Sequence, residues 1–223
     1  ELTRFGKPVI ASIAGLCEDD FLTMARVINQ ARPDLIEVNL SCPNIPGKPQ
    51  IAYDPVDSER LLKRVRPLIT VPMGVKLPPY FDPAHHAVMA DVIRRCGVDY
   101  LNLINSVGNG LVVDPKRETP VIKPKGGFGG LGGSLIKPVA LANVRAFWKL
   151  LEGRIPIIGT GGVVQGVDAF EHVLCGASAV QVGTALVEEG VGVFERLERE
   201  LAAELAMRGK QSLEECRGKL KEL

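Results

Sequence analysis

Three features of this sequence have the residue types and spacing to do chemistry on a small molecule. The first is a pair of glycine turns, Gly161-Gly162 and Gly183-Thr184, each directly after a short apolar run. Backbone N–H groups uncovered by glycine, with a helix opening behind them, make an anion site suited to phosphate. Two ordinary strand-to-helix turns would use the same residues; their joint position favours the phosphate. The second feature is Lys76, set between Val75 and Leu77 inside an apolar run. A lysine is seldom fully buried without a partner. Three readings fit it: a Schiff-base amine, a fixed positive charge beside an anionic cofactor, or a side chain snorkelling to the surface. The third feature is Asn39-Leu40-Ser41-Cys42. Side chains alternate along a strand, so Asn39 and Ser41 share a face. Cys42 then opens a loop, 43–50, that holds three prolines and Gly47. A thiol there is accessible and can act as acid or base; an inert surface thiol is the plain alternative. With Gly47 as hinge, the loop has the make-up of a lid.

Other signals carry less. Lys125–Gly133 (KGGFGGLGG) contains a formal G-x-G-x-x-G at Gly127, Gly129 and Gly132. A dinucleotide fingerprint needs a strand before it and a helix opening within it; the flanking prolines, Pro124 and Pro138, deny both. The stretch reads as a loop that lets backbone approach a flat ligand, or as a flexible surface loop. Five widely spaced cysteines without a C-x-x-C pair, and only three histidines, supply no metal-ligand spacing. No metal is expected. Cys17, Cys96, Cys175 and Cys216 fall in or beside helices and read as inert. Free thiols place the chain in a reducing compartment, the cytoplasm.

These residues must be held by a scaffold, and six short apolar runs supply it: Pro8–Ala14, Leu35–Leu40, Met73–Leu77, Tyr100–Ile104, Ile155–Gly159 and Ala179–Gly183. Apolar throughout, they read as parallel strands covered on both faces. Helical segments lie between them. Asp54-Pro55 and Asp82-Pro83 each set an N-cap acid before a proline at the first helical position. Gly97 is placed to end the helix that starts near Pro83. Ser212 and Glu215 form a capping box for a last short helix. Alternating strands and helices imply an α/β domain with a parallel sheet. The polar residues cluster at the carboxyl ends of many different strands, as in a (β/α)8 TIM barrel. An open doubly wound sheet would gather them at one switch point. The expected architecture is therefore a single barrel domain over residues 1–223 with about six of its eight βα units. The two N-terminal units, roughly 75–90 residues with a lead-in, are expected to precede Glu1.

Composition bounds the function. The chain has 223 residues, 46% hydrophobic and 24% charged, with a net charge of +1. Near-neutral charge gives no footprint for nucleic acid, and 5% aromatic content gives few stacking platforms. No apolar run approaches a membrane span. A small-molecule enzyme is the class that remains.

The motifs together resemble the dihydroorotate dehydrogenase family. NLSCPN at Asn39–Asn44, GVKLPPYFD at Gly74–Asp82 and NSVGNGL at Asn105–Leu111 carry the likeness. IKPKGGFGGLGG at Ile122–Gly133, IIGTGG at Ile157–Gly162 and QVGTAL at Gln181–Leu186 continue it in order. The soluble, fumarate-dependent class 1A branch is the most similar; the cysteine at position 42 separates it from class 2 relatives, which use serine. The resemblance implies FMN as cofactor, dihydroorotate and orotate as substrate and product, fumarate and succinate as the second pair, and a homodimer. It implies Cys42 as catalytic base, and Asn39 as a contact to both flavin and substrate. Lys76, Ile104, Gly133, Gly161, Gly162, Gly183 and Thr184 then match cofactor-binding positions, and Asn105 and Ser106 substrate-binding ones. The family also uses a lysine and an asparagine-bearing loop from its first two βα units, which this sequence does not contain. Two further readings stand beside it: a phosphate-binding barrel aldolase with Lys76 as Schiff base, and an inactive barrel fragment.

Overall fold

The computed structural model describes residues 5–42 and 49–223. Residues 43–48, with Asn44 and the hinge Gly47 of the expected lid, lie outside the described residues. Four strands come first: β1 (Ile10–Ile13), β2 (Leu35–Asn39), β3 (Met73–Leu77) and β4 (Tyr100–Leu103). Two antiparallel ribbons follow, β5 (Val107–Leu111) with β8 (Phe128–Leu131) and, within them, β6 (Val113–Asp114) with β7 (Thr119–Pro120). The chain then returns to the main sheet as β9 (Ile157–Thr160) and β10 (Ala179–Gln181).

The main sheet has six strands in the order β1-β2-β3-β4-β9-β10, every pair parallel. Each crossover carries a helix: α1 (Glu18–Gln30), α2 (Pro55–Val65), α3 (Pro83–Arg95), α4 (Lys137–Leu150) and α5 (Gly166–Cys175). Successive helices pack against one another in the same order as their strands. Crossovers of one hand, advancing in one direction, put all helices on one face. That is barrel order; a doubly wound sheet would reverse at a switch point. The other face is concave. Lys76 on β3 and Gln181 on β10 stand three strand spacings apart, about 14 Å on a flat sheet. Their side chains nevertheless meet, Nζ to Oε1, at 2.8 Å. The sheet is thus a partial barrel, ending at β1 and β10.

Strand composition departs from the expectation of apolar runs buried on both faces. Val38, Val75, Leu77, Leu101, Leu103 and Ile157 are fully buried and point toward the helices, where Phe21, Leu62, Ile93 and Phe147 complete one core. The alternate positions put the polar Ser12, Glu37, Asn39, Lys76, Asn102, Thr160 and Gln181 on the inner face, beside Ile10, Tyr100 and Ile158. The period of two was present inside the runs, masked by the flanking Val, Leu and Ile.

Local signals fix the helix ends. Asp54 Oδ1 accepts from the N–H groups of Val56 (2.9 Å) and Asp57 (3.0 Å), and Asp82 Oδ1 from Ala84 (2.8 Å). Gly97, at φ +62°, follows the α3 C-cap as expected. Glu215 accepts from Ser212 N–H at 3.2 Å, starting a single 3-10 turn. Two more helices, α6 (Thr184–Glu189) and α7 (Gly192–Met207), close the C-terminal side. Among the described residues no helix is long and apolar enough to cross a membrane.

The glycine-rich stretch is a correction. Phe128–Leu131 is not a flexible surface loop but strand β8, with Gly129 opposite Gly110 of β5. A Cβ at Gly110 would sit 2.4 Å from Leu131 Cγ, so glycine lets the two strands close.

Gly74 has a similar role in the main sheet. A Cβ there would lie 2.1 Å from the Tyr100 ring, which covers it. Gly74→Ala should lower stability by roughly 1–3 kcal/mol, the cost of overpacking a closed site. Urea denaturation of the two proteins checks it; equal midpoints would show that the ring can move aside.

Candidate active site

Parallel strands deliver their carboxyl ends to one rim, and a cleft opens there. Its wall holds Lys76 from β3, Ile104, Asn105 and Ser106 after β4, and Gly132 and Gly133 after β8. Thr160 at the end of β9 with Gly161 and Gly162 after it, and Gln181 at the end of β10 with Gly183 and Thr184 after it, lie opposite, and Ile136, Val163 and Val164 add apolar surface. Nine of the residues singled out from sequence are therefore neighbours: Lys76, Ile104, Asn105, Ser106, Gly133, Gly161, Gly162, Gly183 and Thr184.

The loop after β9 is clamped from behind. Gly161 and Gly162 take φ of +123° and +74°, where a side chain is strained. A Cβ at Gly162 would meet Lys137 Cβ at 2.4 Å. The start of α4 by itself therefore requires glycine at 162. Asp168 Oδ2 accepts from Val164 N–H (2.9 Å) and Gln165 N–H (2.7 Å), and its Oδ1 accepts from Lys137 Nζ (2.7 Å). Lys137 also pairs with Glu171 at 2.7 Å. His172, fully buried on α5, donates from Nε2 to the Gly161 carbonyl at 3.0 Å. The turn is thus held rigid with its other side facing the cleft. Gly183 differs: nothing lies within 4 Å of where its Cβ would be. The first N–H groups of α6 open there, beside Gly133, whose Cβ would stand 3.5 Å from Thr184 Cγ2.

Lys76 is half-buried, and its ammonium donates to Gln181 Oε1 at 2.8 Å. Burial pulls its pKa below the usual lysine value, while the Glu37 carboxylate opposes that shift.

A second cluster adjoins the cleft. Asn39 Oδ1 accepts from Ser41 N–H (3.0 Å) and Ser41 Oγ (2.8 Å) in a turn just beyond the end of β2. Asn105 Nδ2 donates to the Ser41 carbonyl (2.9 Å) and Oγ (3.1 Å), and Asn105 Oδ1 accepts from Ser106 N–H (2.8 Å). Asn39 and Cys42 do not line the cleft. Cys42 is half-buried, one residue beyond this turn. Cys96 and Cys175 are buried and burial pushes their thiols up, as suits inert positions. Sequence reasoning missed Glu37, Asn102 and Gln181 as site residues, although all three occupy inward positions of strands.

Comparison with known proteins adds the following. Residues 2–205 match the family model described as dihydroorotate dehydrogenase. The chain is 51% identical over 217 residues to dihydroorotate dehydrogenase A (fumarate) of Lactococcus lactis subsp. cremoris strain MG1363, covering 97% of this chain and 70% of that protein. It is 52% identical over 217 residues to dihydroorotate dehydrogenase (fumarate) of Kluyveromyces lactis, covering 97% and 69%. It is 54% identical over 213 residues to a probable dihydroorotate dehydrogenase A (fumarate) of Enterococcus faecalis, covering 95% and 68%.

The burial of His172 makes stability depend on pH, while its hydrogen bond to Gly161 works against the shift. Burial lowers its pKa in the fold, whereas the unfolded chain protonates it near the ordinary value of about 6.5. The unfolded state therefore binds more protons between the two values, so stability is full above about 6.5 and falls as pH drops below it. His172→Gln keeps an N–H for the Gly161 carbonyl and should flatten the fall in thermal midpoint between about pH 7 and 5. An unchanged slope would assign the dependence to other groups.

Proposed function

The chain belongs to the dihydroorotate dehydrogenase family, and on that premise we propose that it oxidises dihydroorotate to orotate with FMN, returning the electrons to fumarate. The observation that supports this best is the single cleft that gathers the glycine turns after β9 and β10 around Lys76. The residues fit the group. Backbone N–H groups at Gly162 and at Gly183-Thr184 suit a phosphate, and the open space at Gly183 leaves room for one. When bound, FMN supplies the acceptor for the hydride that leaves C6 of dihydroorotate.

The chain's own residues do the rest. Cys42 Sγ takes the proton from C5 as that C–H bond breaks. Asn39, Asn105 and Ser106 orient the substrate; their mutual hydrogen bonds fix the amides before it arrives, which lowers the ordering cost of binding. Ile104 and Gly133 on the cleft wall would also hold the cofactor, and Asn39 would do so from the adjoining cluster. Lys76 sets a positive charge beside the ring system, where negative charge grows in the transition state. Fumarate enters the same pocket in the second half-reaction, takes up a hydride equivalent and the proton held on Cys42 Sγ, and leaves as succinate. The same reading makes the protein a cytoplasmic homodimer whose sheet closes as a (β/α)8 barrel, with two further βα units between β10 and β1.

Two substitutions separate these roles. Gly183→Leu adds a side chain where the fold has space, so the protein should fold normally and be isolated with little flavin; stoichiometric flavin would move the phosphate elsewhere. Cys42→Ala should keep its flavin but lose flavin reduction by dihydroorotate on the order of 10²–10⁴-fold, the usual worth of a positioned base. Anaerobic stopped-flow absorbance measures that step apart from fumarate turnover. Cys96→Ala and Cys175→Ala are the controls and should alter stability alone. A native rate in Cys42→Ala would make the thiol a bystander.

A further inference from the structure

The inner face of the sheet carries a polar layer that the reaction above leaves unexplained. Its centre is Glu37 on β2, only 3% exposed. One carboxylate oxygen accepts from Ser12 Oγ at 2.8 Å, the other from Asn102 Nδ2 at 2.7 Å. Asn102 is fully buried. Its Nδ2 also donates to Gln181 Oε1 at 3.0 Å, and its Oδ1 accepts from Thr160 Oγ1. The same Gln181 oxygen receives Lys76 Nζ at 2.8 Å. Glu37 and Lys76 are thus joined by two amide side chains whose orientations are both determined: each must turn an oxygen or an NH2 group toward a partner that can only donate or only accept.

Burying a carboxylate is costly unless it is hydrogen-bonded and faces an opposite charge. Glu37 has two neutral donors, one to each oxygen, which hold the carboxylate but do not neutralise it. Among the described residues the titratable groups around this layer are Glu37 on β2, Lys76 on β3 and Tyr100 on β4. The other strands contribute neutral Ser12, Thr160 and Gln181. Lys76 is the cation of the set, and burial works against its charge while Glu37 works for it. Tyr100 feels the same carboxylate, which adds to burial in raising its pKa.

We propose that Glu37 is a positioning residue for Lys76: its carboxylate is the buried counter-charge, and Asn102 with Gln181 the hydrogen-bonded spacer, that hold Lys76 as an ammonium with its tip fixed on the cleft wall. Without that counter-charge a half-buried lysine drifts toward the neutral amine and releases Gln181. That Lys76 stands beside a flavin rests on the proposed function; its coupling to Glu37 does not.

The test is a titration of Lys76 in the full chain as purified, followed by NMR of ¹³Cε-labelled lysine, with the Lys76 signal identified by its loss in Lys76→Arg. Glu37→Gln, which keeps size and shape, should move the Lys76 midpoint to lower pH, because it removes the opposite charge that favours the ammonium, while the other lysines stay in place. An unmoved midpoint overturns the proposal. If Glu37→Gln does not fold, infrared spectra of the wild-type protein decide instead, the Glu37 band being the one that Ser12→Ala displaces. A carboxylate band throughout roughly pH 6–9 supports the proposal; a protonated carboxyl band there overturns it. Visible absorbance of the same samples keeps the two readings apart. A colourless protein with the shift refutes the cofactor and leaves the coupling standing; a yellow protein without it refutes the coupling alone.

Discussion

The structure depends on parallel pairing in strict sequence order. Because β1, β2, β3, β4, β9 and β10 run the same way and each neighbours the next, their carboxyl ends are brought to one rim regardless of distance along the chain. Lys76 and Gln181 are separated by 105 positions and still touch. Parallel strands need long connections, and the helices that serve as connections also provide the apolar layer that pays for ordering the sheet. Outer-face residues such as Val38, Leu77 and Leu101 bind the sheet to that layer. The inner face is left free for polar side chains.

That freedom carries a condition. Polar groups inside a sheet stabilise nothing unless they are partnered, and a half-satisfied network is worse than an apolar one. The inner layer meets the condition by continuity: Ser12 to Glu37, Glu37 to Asn102, Asn102 to Gln181, Gln181 to Lys76. The rim is built in the same way. Asn39, Ser41 and Asn105 satisfy one another, and Asp168, Lys137 and His172 hold the turn after β9. The cleft is thus formed by groups already fixed by their neighbours, the arrangement in which electrostatic effects on a reaction are largest because little reorganisation is needed.

Much of this was legible in the sequence. Strand positions followed from apolar runs, and helix starts from Asp54-Pro55 and Asp82-Pro83, because caps act through residues two or three positions away. The glycine turns and Lys76 announced the rim. Three things were less visible. The polar period of Glu37, Lys76 and Asn102 was hidden by large apolar neighbours, so both strand faces looked buried. Phe128–Leu131 looked like a loop because glycine is a poor strand former; only pairing with β5, 17 or more positions upstream, makes it a strand. Gly162 pointed toward a ligand, and the start of α4 at Lys137, which also requires glycine there, gave no signal. In each case the deciding partner is distant in sequence.

The proposed function requires that this rim hold FMN in reach of dihydroorotate. The most direct measurement is the visible spectrum of the purified protein before and after anaerobic addition of dihydroorotate, followed by fumarate. The account requires about one flavin per chain, released on denaturation as FMN, whose absorption bleaches with dihydroorotate and returns with fumarate. A protein without flavin, or a bound flavin that dihydroorotate leaves oxidised, would contradict it.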